Sequence, residues 1–237
     1  MPSRGRWARY PAGELSLAQS ERRALCDLLT KLGPDAPTLC EGWRSADLAA
    51  HLVAREHRPD SMPGAVLPCR PLQTWTDRVR DAYRDTLTWD ELVDRVRTGP
   101  PAVLRPLDGA INTIEFFVHH EDVRRAQVGW KPRDLSAQVE TELWRRLNTM
   151  RVWPQLLSSF GHTPSVARIE VPGQPPIMLV NRRLAGAAGA LGRRRSAIRS
   201  PSEPAEVVRG PASEAVLWML GRKAAAQVEI TPAEPGA

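Results

Sequence analysis

The sequence predicts a mainly α protein, in which a four-helix bundle is followed by a small α+β part. Three observations predict it. Apolar residues recur at helical spacing in successive segments up to about residue 127. Clusters of Gly and Pro separate those segments. After about residue 165 the spacing changes to the alternation of half-buried strands. The expected division is residues 1–155 for the helical domain and 156–237 for the α+β domain.

The first helix carries Leu25, Leu28, Leu29 and Leu32, and Gly33-Pro34 stops it. Ser45 reads as the N-cap of the second, with Asp47 in its first turn. That helix places Leu48, His51, Leu52 and Arg55 on one face and ends before Pro59. A link with Pro59, Pro63, Pro68 and Pro71 follows. A third segment begins near Leu72 and holds Trp75, Val79, Ala82 and Tyr83. Thr88 and Glu91 have capping-box spacing, so a helix restarts there with Leu92, Val93 and Val96, and Gly99-Pro100-Pro101 breaks it. The fourth segment, Ile111 to Gln127, has no Gly or Pro, and Gly129 closes it. A fifth helix is expected from about Leu135 to Leu157, carrying Leu143, Trp144, Leu147 and Met150.

Val166 to Val171 alternates as a strand, Ile177 to Val180 is a second, and Val207-Val208 belongs to a third. Ala212 to Arg222 reads as a helix with Val216, Leu217 and Leu220 inward and Pro211 near its start. Gln227 to Ile230 reads as a closing strand, and residues 231–237 as a frayed tail.

The 237 residues are 42% apolar and 25% charged, an ordinary globular composition. No apolar run approaches the ~20 residues of a membrane span. The N-terminus has basic residues but no apolar stretch after them, which does not read as a secretory signal and places the protein in the cytoplasm. Cys26, Cys40 and Cys69 form no CxxC pair and no disulfide framework. The formal net charge is +6, carried almost wholly by arginine. The basic residues are spread along the chain, densest at Arg193-Arg194-Arg195 with Arg199 nearby, and no nucleic-acid motif accompanies them. The charge therefore reads as composition and not as a nucleic-acid interface.

The chemistry gathers in the fourth segment. Glu115 and His119 are four apart on one helix, so their Cβ atoms lie ~5–6 Å apart on one face. One divalent ion can bridge such a pair, although a solvated pair has the same spacing. His51 offers a third ligand, since it shares the inward face of Leu48 and Leu52. Two imidazoles and a carboxylate suit zinc, iron or nickel and leave positions open, as catalytic sites do. His120, Glu121 and Asp122 are rival ligands in the same segment. Asp122 lies on the face of Glu115 and His119, and either orients an imidazole or pairs with Arg125 or Arg55.

At these residues the chain resembles a known family. Trp43 to Leu52, WRSADLAAHL, is similar to the motif that opens the second helix of the DinB-like metal-binding fold, and more narrowly of the mycothiol-dependent maleylpyruvate isomerase family. In that family the histidine of the Ala-His-Leu triplet is a metal ligand, here His51. The family's second motif, Glu-x3-His-x2-Asp, matches Glu115, His119 and Asp122. Gly210 to Arg222 resembles its C-terminal signature, a helix ending in Gly-Arg within a small sterol-carrier-like α+β domain. The stretches GPDAPTLCEGW, HLVAREHRPD and EFFVHHEDVRRAQ are more similar to an actinobacterial branch of the same fold known as metal-binding proteins.

The resemblance implies metal ligands His51, Glu115 and His119, with Asp122 behind them. It implies zinc or another divalent metal, and mycothiol as a thiol cosubstrate. The reaction expected is a thiol-dependent isomerisation, or an S-transfer, on a small anionic electrophile. A metal-dependent hydrolase and a non-catalytic metal- or ligand-binding protein are the alternatives. Arg222 is expected either to reach the cleft between the domains and bind substrate or thiol, or to sit as a favourable charge at a helix C-terminus. Arg55 and Glu56 follow His51 by one turn and either line the rim or pair at the surface. Cys40 reads as a redox thiol near the site or as a small buried residue. Trp43, Trp218, Phe116 and Phe117 read as packing residues.

Overall fold

The computed structural model describes residues 15–63, 69–103, 105, 108–150, 166–180 and 205–233. The run Arg193-Arg194-Arg195 with Arg199, Pro68, and the expected end of the fifth helix after residue 150 lie outside the described residues. Helix α1 spans Leu17–Leu32 and opens with a reciprocal cap: Ser16 Oγ accepts from Gln19 N, and Gln19 Oε1 accepts from Ser16 N. Gly33, at φ 81°, ends it.

Helix α2 spans Ser45–His57. Ser45 is its first helical residue and not the cap. Its N–H and hydroxyl both donate to Ala36 O, at 3.0 and 3.2 Å, while Asp47 accepts from the N–H of the capping residue Arg44. The serine thus fastens the preceding loop instead of closing the helix. Helices α3 (Arg70–Thr86) and α4 (Trp89–Thr98) follow, and Thr88 with Glu91 forms the expected capping box. A four-residue helix, α5 (Asp108–Ile111), precedes α6 (Thr113–Arg125), so the fourth segment is divided at Asn112. Helix α7 spans Ala137–Met150.

A mixed four-stranded sheet completes the described fold: β1 (Val166–Glu170), β2 (Ile177–Val180), β3 (Glu206–Arg209) and β4 (Glu229–Pro232), in spatial order β2-β1-β3-β4. The β1/β3 pair is parallel and the other two are antiparallel. Helix α8 (Ala212–Met219) lies between β3 and β4 in sequence and ends two residues before Gly221. Ile169 pairs with Ile177 and Val208, and all three are buried.

Two apolar clusters form the interior. Leu25, Leu29, Leu48, Leu52, Leu92, Val96 and Phe116 fill the bundle. Phe117, Leu143, Trp144 and Leu147 pack with Ile169, Val208, Leu217 and Trp218. The helical part and the α+β part therefore share an interior. Helix α6 feeds both clusters because neighbours on a helix point ~100° apart, which sends Phe116 one way and Phe117 the other. Full burial of each ring contributes about 2 kcal/mol. No described helix is long and apolar enough to cross a membrane.

Candidate metal centre

The bundle brings three sequence-distant donors together. His51 stands on α2 between the buried Leu48 and Leu52, while Glu115 and His119 stand one turn apart on α6. Glu115 Oε1 lies 3.4 Å from His51 Nε2 and 3.2 Å from His119 Nε2. One ligand atom from each residue falls within 4.8 Å of the others. The imidazoles meet edge to face, with ring centroids 5.4 Å apart. Two nitrogens and one oxygen this close together suit a divalent cation.

Asp122 fixes one of the rings. Its Oδ2 lies 2.9 Å from His119 Nδ1, which leaves Nε2 aimed at Glu115. Asp122 is fully buried, and its partner is neither Arg125 nor Arg55. Arg222 clamps it through Nε to Oδ1 at 2.8 Å and Nη2 to Oδ2 at 2.6 Å. Arg222 follows α8 in a turn, so the small part of the fold reaches Asp122 through this fork. Arg222 thus reaches across from the small part of the fold, as one of its two expected readings has it, and there it pairs with Asp122.

The loop between α1 and α2 forms another wall. A bridge between Pro37 and Arg44 folds it back, and Leu39 N donates to Asp122 O at 3.0 Å. Cys40 Sγ then donates to Asp122 Oδ2 at 3.2 Å, and Arg222 Nη2 approaches the sulfur at 3.5 Å. Cys40 is half-buried: it packs against the apolar cluster of the bundle while its sulfur meets these polar groups. Cys40, His119 and Asp122 also place donor atoms within 4.8 Å, but both Asp122 oxygens already accept from a guanidinium. A cation there would face a fixed positive charge. Trp43 packs its ring 5.1 Å from that of His51, and the Arg80 guanidinium lies over the Trp43 ring at 5.0 Å.

The rival ligands point elsewhere. His120 Nδ1 lies 2.7 Å from Glu21 Oε2 on α1. Glu121 pairs with Arg124, Arg125 and Arg133. Arg125 continues to Glu214 on α8, at 2.9 and 2.7 Å. Glu56, expected at the rim or the surface, is buried and holds Arg22 at 2.8 and 2.6 Å. A buried charge persists only with such a partner. Arg55 stays at the centre, with Nε 3.2 Å from Glu115 Oε1.

These contacts set the charges. Burial pushes the Glu115 pKa up, but the charge of Arg55 and hydrogen bonds from His119 and His51 hold it well below the usual carboxylate range. Burial lowers the His51 pKa and favours a neutral ligand. Burial also opposes charge on His119, yet its bonds to Asp122, Cys40 and Glu115 lift its pKa well above the ordinary value. Cation binding would therefore displace a proton from His119.

No protein-family model matches the chain, and no curated protein matches its sequence. Among solved structures the fold is similar to the crystal structure of a histidine-to-alanine mutant of mycothiol-dependent maleylpyruvate isomerase, with TM-score 0.51 and 15% identity over 92% of each chain. The crystal structure of the mycothiol-dependent maleylpyruvate isomerase itself matches with TM-score 0.48 and 14% identity, again over 92% of each chain. At this identity the likeness is one of fold.

Proposed function

We propose that this chain binds one divalent cation through His51 Nε2, Glu115 Oε1 and His119 Nε2. We further propose that it uses the cation in a thiol-dependent isomerisation or S-transfer on a small anionic electrophile. The convergence of the three donor atoms within 4.8 Å carries the reading. Zinc suits the donor set, and when bound it would lower the pKa of a thiol at its open position. Mycothiol is the thiol favoured by the fold likeness, since the similar structure is that of a mycothiol-dependent enzyme.

The chain's own groups divide the remaining work. Asp122 holds the proton side of His119 and keeps Nε2 turned to the centre. Arg222 keeps Asp122 anionic by a two-point ion pair. Trp43 packs against His51 with its ring tilted, which limits the movement of that imidazole. Arg55 adds a guanidinium next to Glu115, which favours an anionic substrate at the mouth.

Metal content by mass spectrometry tests the centre. About one equivalent of zinc is expected in the wild type, lost in His51→Ala and Glu115→Ala with the fold retained. A wild type that takes up no divalent metal after reloading would rule the reading out. Activity that persists in thiol-free buffer would exclude the thiol step and favour metal-dependent hydrolysis.

A further inference from the structure

Asn112 joins the centre to a charge network inside the bundle. Its Oδ1 accepts from Arg55 Nη1. Its Nδ2 donates to Glu56 Oε1 at 3.0 Å and to Asp108 Oδ1 at 2.6 Å. Arg22 grips both carboxylates, donates to Val96 O at 2.9 Å and lies 3.9 Å from the centroid of Phe116. Asn112 is itself buried within this network. An amide suits the position because it offers an acceptor to a guanidinium and donors to carboxylates at once. Aspartate would repel Glu56 and Asp108, and leucine would satisfy none of the three.

The other end of Arg55 meets Glu115 Oε1, the same oxygen that faces both imidazoles. A pinned positive charge thus shares the oxygen that the triad offers to a cation.

We propose that Asn112 is a positioning residue of the metal centre: by holding Arg55 against Glu115 Oε1, it sets how tightly the triad binds a divalent cation. This rests on the metal-binding reading above. A guanidinium at that distance repels a dication, which weakens binding and keeps the metal exchangeable. Without Asn112, Arg55 loses one of its anchors, so its guanidinium is held less closely to Glu115 Oε1 and the repulsion falls.

The experiment is a zinc titration in competition with a chromophoric chelator, at one pH. The proteins are the wild type, Asn112→Leu, Arg55→Met and the double variant. Arg55→Met should tighten zinc binding by roughly tenfold and Asn112→Leu by roughly threefold, with the double variant no tighter than Arg55→Met alone. A purely structural Asn112 would lower the melting temperature without moving zinc affinity. Arg55→Lys keeps the charge but not the fork that spans Asn112 and Glu115, so it should shift in the direction of Arg55→Met. That variant decides the matter if Asn112→Leu does not fold. Zinc affinity unchanged in Arg55→Met or Arg55→Lys, or additive tightening in the double variant, overturns the proposal alone. A folded wild type that binds no zinc overturns the metal-binding reading and the proposal with it.

Discussion

Asp122 and Arg222 stand 100 residues apart in sequence and meet through two parallel hydrogen bonds of 2.8 and 2.6 Å. Burial alone would raise the Asp122 pKa, but His119 and Arg222 hold it far below the usual carboxylate range. These partners favour the anionic carboxylate, which faces His119 Nδ1 and leaves Nε2 for Glu115. Asp122→Asn keeps the shape and removes that charge. Zinc affinity should fall by about 10–100-fold, as read by chelator competition. Affinity within twofold of wild type would mean that Asp122 serves only the ion pair.

Arg125 ties α6 to α8 through Glu121 and Glu214, all three buried. Arg125→Met takes the guanidinium from Glu214, while Glu121 keeps Arg124 and Arg133. The substitution should lower unfolding free energy by about 3 kcal/mol, seen as a shift in the urea midpoint. Joint replacement of Arg125 and Glu214 by apolar residues should cost less than Arg125→Met alone.

Glu21 is one of the buried carboxylates that make stability depend on pH at the acid end. Burial would raise its pKa, but hydrogen bonds from His120 and Arg133 outweigh that and hold it low. A depressed carboxylate contributes fully above its unfolded pKa of about 4.3, and the contribution is lost as pH falls through the lower folded value. The stability gap between wild type and Glu21→Gln should therefore be widest near neutrality and narrow below about pH 4. A gap that stays constant down to pH 2.5 would show that Glu21 contributes nothing by its charge.

The cysteines should separate by reactivity. Burial pushes the Cys26 thiol up to about 12, whereas Cys69 is exposed. An alkylating reagent at pH 7.5 should modify Cys69 in the native protein and Cys26 only after unfolding, as peptide mass mapping will show. Native alkylation of Cys26 at a comparable rate would mean that α1 opens locally.

The triad was legible because helical spacing speaks directly about faces: Leu48 and Leu52 fix the phase of His51, and four residues separate Glu115 from His119. What surrounds the triad was not. Asn112, Arg22, Glu56 and Asp108 find one another across 56, 34 and 86 residues, and a lone charged residue in sequence reads as solvated. Ser45 looked like a cap because serine favours that position, but its hydroxyl was taken by Ala36 O in the loop. Cys40 reached Asp122 only because the Pro37–Arg44 bridge folds its loop back. Periodicity gives the face of a helix. It says nothing of which distant side chain meets that face.

Helix α6 is covered on one side by the bundle and on the other by α7, α8 and the sheet. On the ribosome those two covers arrive at different times. At about 5–20 residues per second, Phe117 and Val118 wait on the order of 5–20 s for β3 and α8 to be made. A released chain that ends at residue 155 should bind an apolar-surface dye that the finished protein excludes. The newborn bundle thus carries a sticky flank through much of its synthesis, and its passage from the ribosome calls for a holdase or for swift completion.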